Sequence, residues 1–178
     1  MKNVLLLFAH PRLERSRVNI RLLDAAKNVS GVTVRDLYEE YPLFDVDVVA
    51  EKALLLSHDV VVLQHPFFWY SAPPLVKQWI DLVLEFGWAY GPGGTALQGK
   101  KVVQAITTGG TEKAYSADGR NRYTVEEFLR PFEATFKLCN MEVLPPFVVS
   151  GTHRLTRQDI ELSGERYRGF LEELTHGS

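Results

Sequence analysis

Three short stretches of this 178-residue chain hold the side chains best suited to grip a ligand. The first is His10-Pro11-Arg12-Leu13-Glu14-Arg15-Ser16-Arg17-Val18-Asn19, which runs into the start of a candidate helix. A helix start offers unpaired N–H groups and the positive end of the helix dipole, and both favour a phosphate. Ser16 and Asn19 add short donors there, with the Arg17 and Val18 backbone between them, and the Arg17 side chain adds charge. Ser16 is equally suited to be a plain N-cap. Neither GxGxxG nor GxxxxGK[ST] is present, which argues against a Rossmann dinucleotide site and a P-loop.

The second stretch is Gln64-His65-Pro66-Phe67-Phe68-Trp69-Tyr70-Ser71-Ala72-Pro73-Pro74. Phe67, Phe68, Trp69 and Tyr70 on a proline-bounded loop are hard to bury as ordinary core. A flat aromatic ligand would use them as a wall, with backbone N–H groups meeting ring heteroatoms. A satellite hydrophobic cluster and a dimer contact are the other readings. The third stretch is Thr107-Thr108-Gly109-Gly110-Thr111, where paired glycines let backbone approach a ligand closely.

His10 and His65 end adjacent candidate strands, yet no HxH or HExxH supplies a third ligand, so no metal is expected. Asp45 and Asp47 lack the glycine and distal glutamate of a calcium loop and read as loop or helix-start carboxylates. Cys139, the one cysteine, sits in an apolar stretch without CxxC and reads as structural. One cysteine also forms no internal disulfide, as suits a reducing compartment.

The elements that must position these stretches alternate along the chain. Val4 to Ala9 is a continuous apolar run, as in a strand buried on both faces, and it is too short for a signal core or a membrane span. Arg17 to Val29 carries Val18, Leu22, Ala25, Ala26 and Val29 at helical spacing, and Gly31 reads as its C-cap. Thr33 to Leu37 and Val60 to Leu63 read as strands. Val46 to Leu56 is a second helix candidate, with apolar Val46, Val49, Ala53, Leu54 and Leu56. Leu75 to Phe86 is a third helix, apolar on more than one side. Lys101 to Thr108 is the fourth strand and Glu142 to Val149 the fifth, with Pro145-Pro146 marking an edge or bulge. Thr124-Val125-Glu126-Glu127 is a capping box, and Pro131 bends or splits the helix that follows. Thr156 to Asp159 caps a last helix with Ile160, Tyr167, Phe170, Leu171 and Leu174 inward.

Strands alternating with helices predict one α/β domain over residues 1–178, a doubly wound five-stranded parallel sheet of order 2-1-3-4-5. Ligands of such sheets bind beyond the carboxyl ends of the strands, near the switch point between strands 1 and 3. The three stretches follow strands 1, 3 and 4 and should meet there. The chain is 46% apolar, 24% charged and carries a net charge of −2, which recommends neither nucleic acid nor an anionic membrane as a partner. With no stretch near the length a span requires, the chain reads as cytoplasmic.

The stretches FAHPRLERSRVN, QHPFFWYSAPPLVKQWIDLVLEFGWAYGPGGTALQGK, ITTGGTEKAYSADG and LPPF resemble, in order, the NAD(P)H:quinone oxidoreductase family of flavodoxin-like flavoproteins. The likeness extends to the ancillary proteins of glutathione-regulated potassium-efflux systems. It implies a flavin, FMN by the subgroup with FAD as the alternative, reduced by NADH or NADPH and re-oxidised by a quinone in ping-pong fashion. It implies that His10, Ser16, Arg17, Val18 and Asn19 hold the flavin phosphate and ribityl chain. Phe67, Phe68, Trp69 and Tyr70 would lie along the ring, and Thr107, Thr108, Gly109 and Gly110 would meet its polar edge through backbone groups. Tyr115 matches a tyrosine facing the acceptor.

Family members often carry a histidine where this chain has Asn121. Asparagine donates a hydrogen bond but takes up no proton near neutral pH, so a proton-accepting role at that position is in question. The resemblance also implies a homodimer whose partner residues complete each pocket. It further implies a potassium/proton antiporter as a partner, through its cytoplasmic domain, which would place the chain at the inner membrane. Two other functions stand beside the enzyme: a non-catalytic regulatory subunit of that antiporter, and a flavodoxin-like one-electron carrier. Carriers tend to be strongly acidic, so a charge of −2 argues against the last.

Overall fold

The Val4–Ala9 run forms β1 (Val4–Phe8), five residues with no exposed surface. In the computed structural model, which describes residues 1–177, β1 lies between β2 (Val32–Asp36) and β3 (Val60–Pro66), and β4 (Lys101–Thr107) lies outside β3, all parallel. The sheet order is β2-β1-β3-β4-β5, the doubly wound order expected from the sequence. The fifth position is shared by β5 (Glu142–Val143) and β6 (Phe147–Val149), both paired with β4. The single strand expected over Glu142 to Val149 is broken because Pro145 and Pro146 have no N–H to give the ladder.

Alternation along the strands divides the core into two layers. Val4, Leu6 and Phe8 of β1, with Val60 and Val62 of β3, pack under α1 (Arg17–Ala26) and α7 (Arg157–His176). Leu5 and Leu7, with Val61 and Leu63, pack under α3 (Val48–Ser57), α4 (Pro74–Val83) and α6 (Arg130–Leu138). Two single turns, α2 (Leu37–Glu40) and α5 (Val125–Phe128), complete the set. The Tyr167 hydroxyl reaches through the α7 layer to donate to Gln64 Oε1 at 2.9 Å, pinning the last helix to β3.

Local signals behave as their chemistry requires. Thr124 and Glu127 form the capping box of α5, Thr156 and Asp159 that of α7, and Asp47 caps α3 by accepting from Ala50 N. Pro131 sits in the first turn of α6, so the helix expected there is split into α5 and α6. Gly31 is not a C-cap. Helix α1 ends at Lys27, and Gly31, at φ +83°, makes the turn into β2 instead. Helix α3 is turned against its composition: Glu51 is fully buried, while Val49 and Leu56 are 79% and 55% exposed. Among the described residues, no helix is long and apolar enough to cross a membrane.

Candidate functional site

Two cavities open at the carboxyl ends of β1, β3, β4 and β6. One, of about 380 Å³, is lined by the first loop (His10, Arg12, Arg15 to Asn19), by Phe67 and Phe68, and by Thr107 and Gly109. The other, of about 540 Å³, is lined by Phe67, Trp69, Tyr70, Gly109, Gly110, Tyr115 and Asn121. Phe67 and Gly109 belong to both, so the cavities form one crevice with a waist.

Ser16 builds the first end. It stands at N-cap geometry before α1, and its Oγ accepts from Asn19 N at 3.2 Å and from Asn19 Nδ2 at 3.0 Å. With both lone pairs used, its O–H is left to donate outward. The N–H groups of Arg17 and Val18, first in the helix, have no intrahelical acceptor. Asn19 Nδ2 also donates to Thr107 Oγ1 at 2.9 Å and so ties α1 to β4. Asn19 Oδ1 is buried without a partner. His10 Nδ1 accepts from Arg12 N at 3.1 Å, which leaves the proton on Nε2. Burial pushes the His10 pKa down, against the opposing pull of Glu14. The cap and anion readings of Ser16 therefore coexist: capping consumes its acceptor sites and leaves its donor free.

The second end is aromatic. Phe67 is buried, edge-on to Tyr70, Tyr115 and Phe128, and Tyr70 stacks on Phe128 at 4.8 Å. Trp69 is 93% exposed. Trp69 and Tyr70 have φ of 50° and 61°, and Ser71 N donates to Phe68 O at 2.9 Å, the pattern of a type I′ turn. Such turns normally carry asparagine and glycine, so two aromatics here store strain of roughly 1 kcal/mol each. The turn presents rings and backbone to the cavity in a conformation that packing alone does not repay, since Trp69 touches almost nothing. The Tyr70 hydroxyl donates to Asn121 Oδ1 at 3.3 Å. Burial first, and Tyr70 second, push the Tyr115 phenol up, so it keeps its proton at neutral pH.

The glycine turn forms the waist. Thr108 lines neither cavity. It is fully buried, its N–H donates to Val149 O at 2.9 Å and its hydroxyl to Gly110 O at 2.8 Å, so it shapes the turn from behind. A Cβ on Gly110 would lie 2.9 Å from Tyr115 Cε2. The other sequence-predicted site residues all line one cavity or the other.

A fourth segment went unread in the sequence. Thr152 and His153 line the first cavity and Arg154 the second. They follow β6, held by Gly151 N to Gly110 O at 2.8 Å and Thr152 N to Thr108 O at 3.1 Å. The strand-end rule that picks out the other loops applies equally after the fifth strand, and the polar Ser150-Gly151-Thr152-His153-Arg154 segment that follows the apolar run is its signal. Arg120 is likewise added by the structure. In all, Arg12, Arg15, Arg17, Arg120 and Arg154 line the crevice, and no carboxylate does. The chain as a whole has 22 acidic against 20 basic residues, so this is a local concentration of positive charge.

His65 is fully buried at the end of β3. With Nδ1–H donating to Pro66 O at 3.0 Å and Nε2 accepting from Gln104 Nε2 at 3.3 Å, it is neutral. Burial lowers its pKa to about 4. Because the folded state resists the proton, its stability contribution is complete above the unfolded value near 6.5 and is lost as pH falls toward about 4. His65→Gln is expected to flatten the urea-midpoint profile over that window, where His65 accounts for about 3 kcal/mol of the acid sensitivity. An unchanged profile would rule that out. Cys139 is buried and its thiol pushed up by burial, as a structural cysteine should be. Among the described residues, no group of three His, Cys, Asp or Glu side chains could hold a metal.

Residues 2–171 match a family model described as a flavodoxin-like fold, and the chain belongs to that family. Its relatives include an NAD(P)H oxidoreductase, YrkL, of Bacillus subtilis, 45% identical over 94% of this chain and 97% of that protein. The glutathione-regulated potassium-efflux system ancillary protein KefG of Pectobacterium atrosepticum is 45% identical over 94% of this chain and 92% of KefG. Among solved structures, general stress protein 14 of Treponema denticola in complex with FMN superposes with a TM-score of 0.92 at 42% identity, covering 97% and 99% of the two chains. An NADPH-quinone reductase from P. pentosaceus does so with a TM-score of 0.84 at 31% identity, covering 99% of each. A chain described as a tryptophan halogenase from Streptomycin violaceusniger matches at 0.92 and 43%, covering 94% and 97%. Likeness of fold therefore does not select the reaction, and the crevice residues must.

Proposed function

We propose that this chain is an FMN-dependent NAD(P)H:quinone oxidoreductase that works by ping-pong exchange at one crevice. The observation that carries the reading is the crevice itself: an anion-seeking end joined through a glycine waist to an aromatic end, with arginines and no carboxylate along it. FMN suits it. The helix start and Arg12, Arg15 and Arg17 match a phosphate, and the unpaired Asn19 Oδ1 matches a ribityl hydroxyl. The strained aromatic turn matches a flat ring. A flavin held there would supply the two-electron hydride chemistry that links a nicotinamide reductant to a quinone acceptor. The chain's own residues bind, orient and exclude water. Phe67, Trp69 and Tyr70 form the wall, and Tyr115, held protonated, donates a hydrogen bond to the acceptor. Asn121 fixes Tyr70 and moves no proton.

The test is direct. Protein purified with FMN should be yellow, be bleached by NADPH without oxygen, and recover with menadione. FMN added to apoprotein should quench the emission of Trp69, which the variant Trp69→Phe would identify. Colourless protein that neither binds FMN nor changes fluorescence would end the reading.

A homodimer accompanies it, supported by exposed Leu43, Val49, Leu56 and Phe86. A mass by light scattering of one 20.2 kDa chain would exclude it. Identity to KefG favours a second role on the cytoplasmic domain of a potassium/proton antiporter. Potassium efflux that is unchanged in cells lacking this chain would remove it.

A further inference from the structure

The aromatic end of the crevice carries two arginines that the flavin does not explain. The phosphate end has Arg12, Arg15 and Arg17 for the one phosphate of FMN, whereas Arg120 and Arg154 stand beside Tyr70, Tyr115 and Asn121 in the other cavity. An oxidised ring system has no net charge to attract them. Among the described residues, neither guanidinium has a carboxylate within 4.0 Å.

Both are placed by tightly built turns. Arg120 rides a loop folded onto the Glu112–Ala114 turn by Gly119 N to Ser116 O at 3.0 Å, Asn121 N to Ala114 O at 3.0 Å and Arg122 N to Gly119 O at 3.1 Å. A Cβ on Gly119 would fall 2.2 Å from Lys113 O, so only glycine lets the loop lie that close. Arg154 N donates to Gly151 O at 2.8 Å, and Gly151, at φ +71°, is itself bonded to the glycine turn through Gly110 O. Two independent loops thus bring a positive charge to one cavity wall. On the other side of Tyr115 the surface turns acidic: a cavity of about 690 Å³ there has Glu112, Glu126 and Asp159 against Arg166 alone.

We propose that Arg120 and Arg154 bind the phosphates of the nicotinamide dinucleotide while its nicotinamide lies in the aromatic cavity. The inference rests on the flavin reading above. A dinucleotide that puts its nicotinamide in this cavity must lead its pyrophosphate out past the rim. Planar guanidinium forks pair with phosphate oxygens two at a time. Paired arginines at the mouth would also steer the anionic reductant inward, and that steering weakens with salt.

The experiment uses FMN-loaded wild type, Arg120→Ala, Arg154→Ala and the double variant, with NADP⁺ as a redox-inert probe in calorimetry. Each single substitution is expected to weaken NADP⁺ binding about ten-fold, the loss of one charge-assisted contact. In the double variant the salt dependence of NADP⁺ affinity should largely vanish. The ratio of KM for NADPH to KM for uncharged N-benzyl dihydronicotinamide should rise by a similar factor. NADP⁺ affinities within about two-fold of wild type in all variants would overturn the proposal. So would equal losses for the charged and uncharged reductants, a loss confined to a sulfonated quinone, or a shifted flavin potential with NADP⁺ affinity unmoved. Wild-type protein that takes up no FMN would overturn the flavin reading instead.

Discussion

Gly109→Val is expected to leave the protein folded and strip it of flavin. Gly109 is the waist of the crevice, in contact with both cavities, so any side chain there points into the ligand path. The only atoms near an added Cβ are His153 Nε2 at 2.9 Å and Cδ2 at 3.0 Å, the far end of an exposed side chain that can swing away. Its backbone is not in the left-handed region, so valine adds no strain of its own. The unfolding free energy should move by less than about 1 kcal/mol. FMN affinity should fall about 100-fold or more, because the branched methyls occupy space the ring needs and the sheet behind them does not yield. Fluorescence titration beside a urea curve separates the two effects. Wild-type affinity in a folded Gly109→Val protein would show that no ligand passes the waist. Gly119→Val is the contrasting case. Its Cβ would strike backbone at 2.2 Å, so the Arg120 loop itself must open.

Much of the site was legible because the fold rule and the residue types agree. Short apolar runs ended by Pro or Gly fixed the strand ends, and strand ends fix where loops converge. Ser16, Asn19, Phe67, Trp69, Tyr70, Gly109 and Tyr115 then fell into one crevice. What stayed hidden depends on contacts that spacing does not encode. Thr108 looks like its neighbours in sequence, yet its pairing with Val149 turns it behind the loop. Arg120 and Arg154 reach the cavity only because glycines elsewhere let their loops fold back. Composition misled most at α3. Its apolar residues suggested a core-facing helix, but the packing of β2, α2 and α4 turns a carboxylate inward and leaves Val49 and Leu56 outside. A buried ionised group is affordable only with partners, and no pattern within Val48–Ser57 announces them.

Those partners come from three other elements and make Glu51→Ala the most destabilising single change expected here. Glu51 Oε1 accepts from the Tyr41 hydroxyl at 2.6 Å and Arg35 Nε at 2.9 Å, and Oε2 accepts from Trp79 Nε1 at 2.8 Å. Arg35 also reaches the Tyr41 hydroxyl at 3.0 Å and Glu40 at 2.8 Å. Burial, then the bond to Glu51, pushes the Tyr41 phenol up to about 12, so it keeps its proton and donates at neutral pH. Removing the carboxylate leaves the Trp79 N–H with no acceptor in a dry site and Arg35 with only the half-exposed Glu40 for a counter-charge. The loss should be about 3–5 kcal/mol, measured from urea midpoints at constant m-value. Glu51→Gln keeps the side-chain shape and one acceptor oxygen but turns an NH2 toward a former donor, and should still lose less, about 1–3 kcal/mol. Arg35, Tyr41, Glu51 and Trp79 line neither half of the crevice, so FMN affinity in the fraction that remains folded should match wild type. A Glu51→Ala protein within about 1 kcal/mol of wild type would mean that β2, α3 and α4 are held by apolar packing alone, with the ion pair incidental.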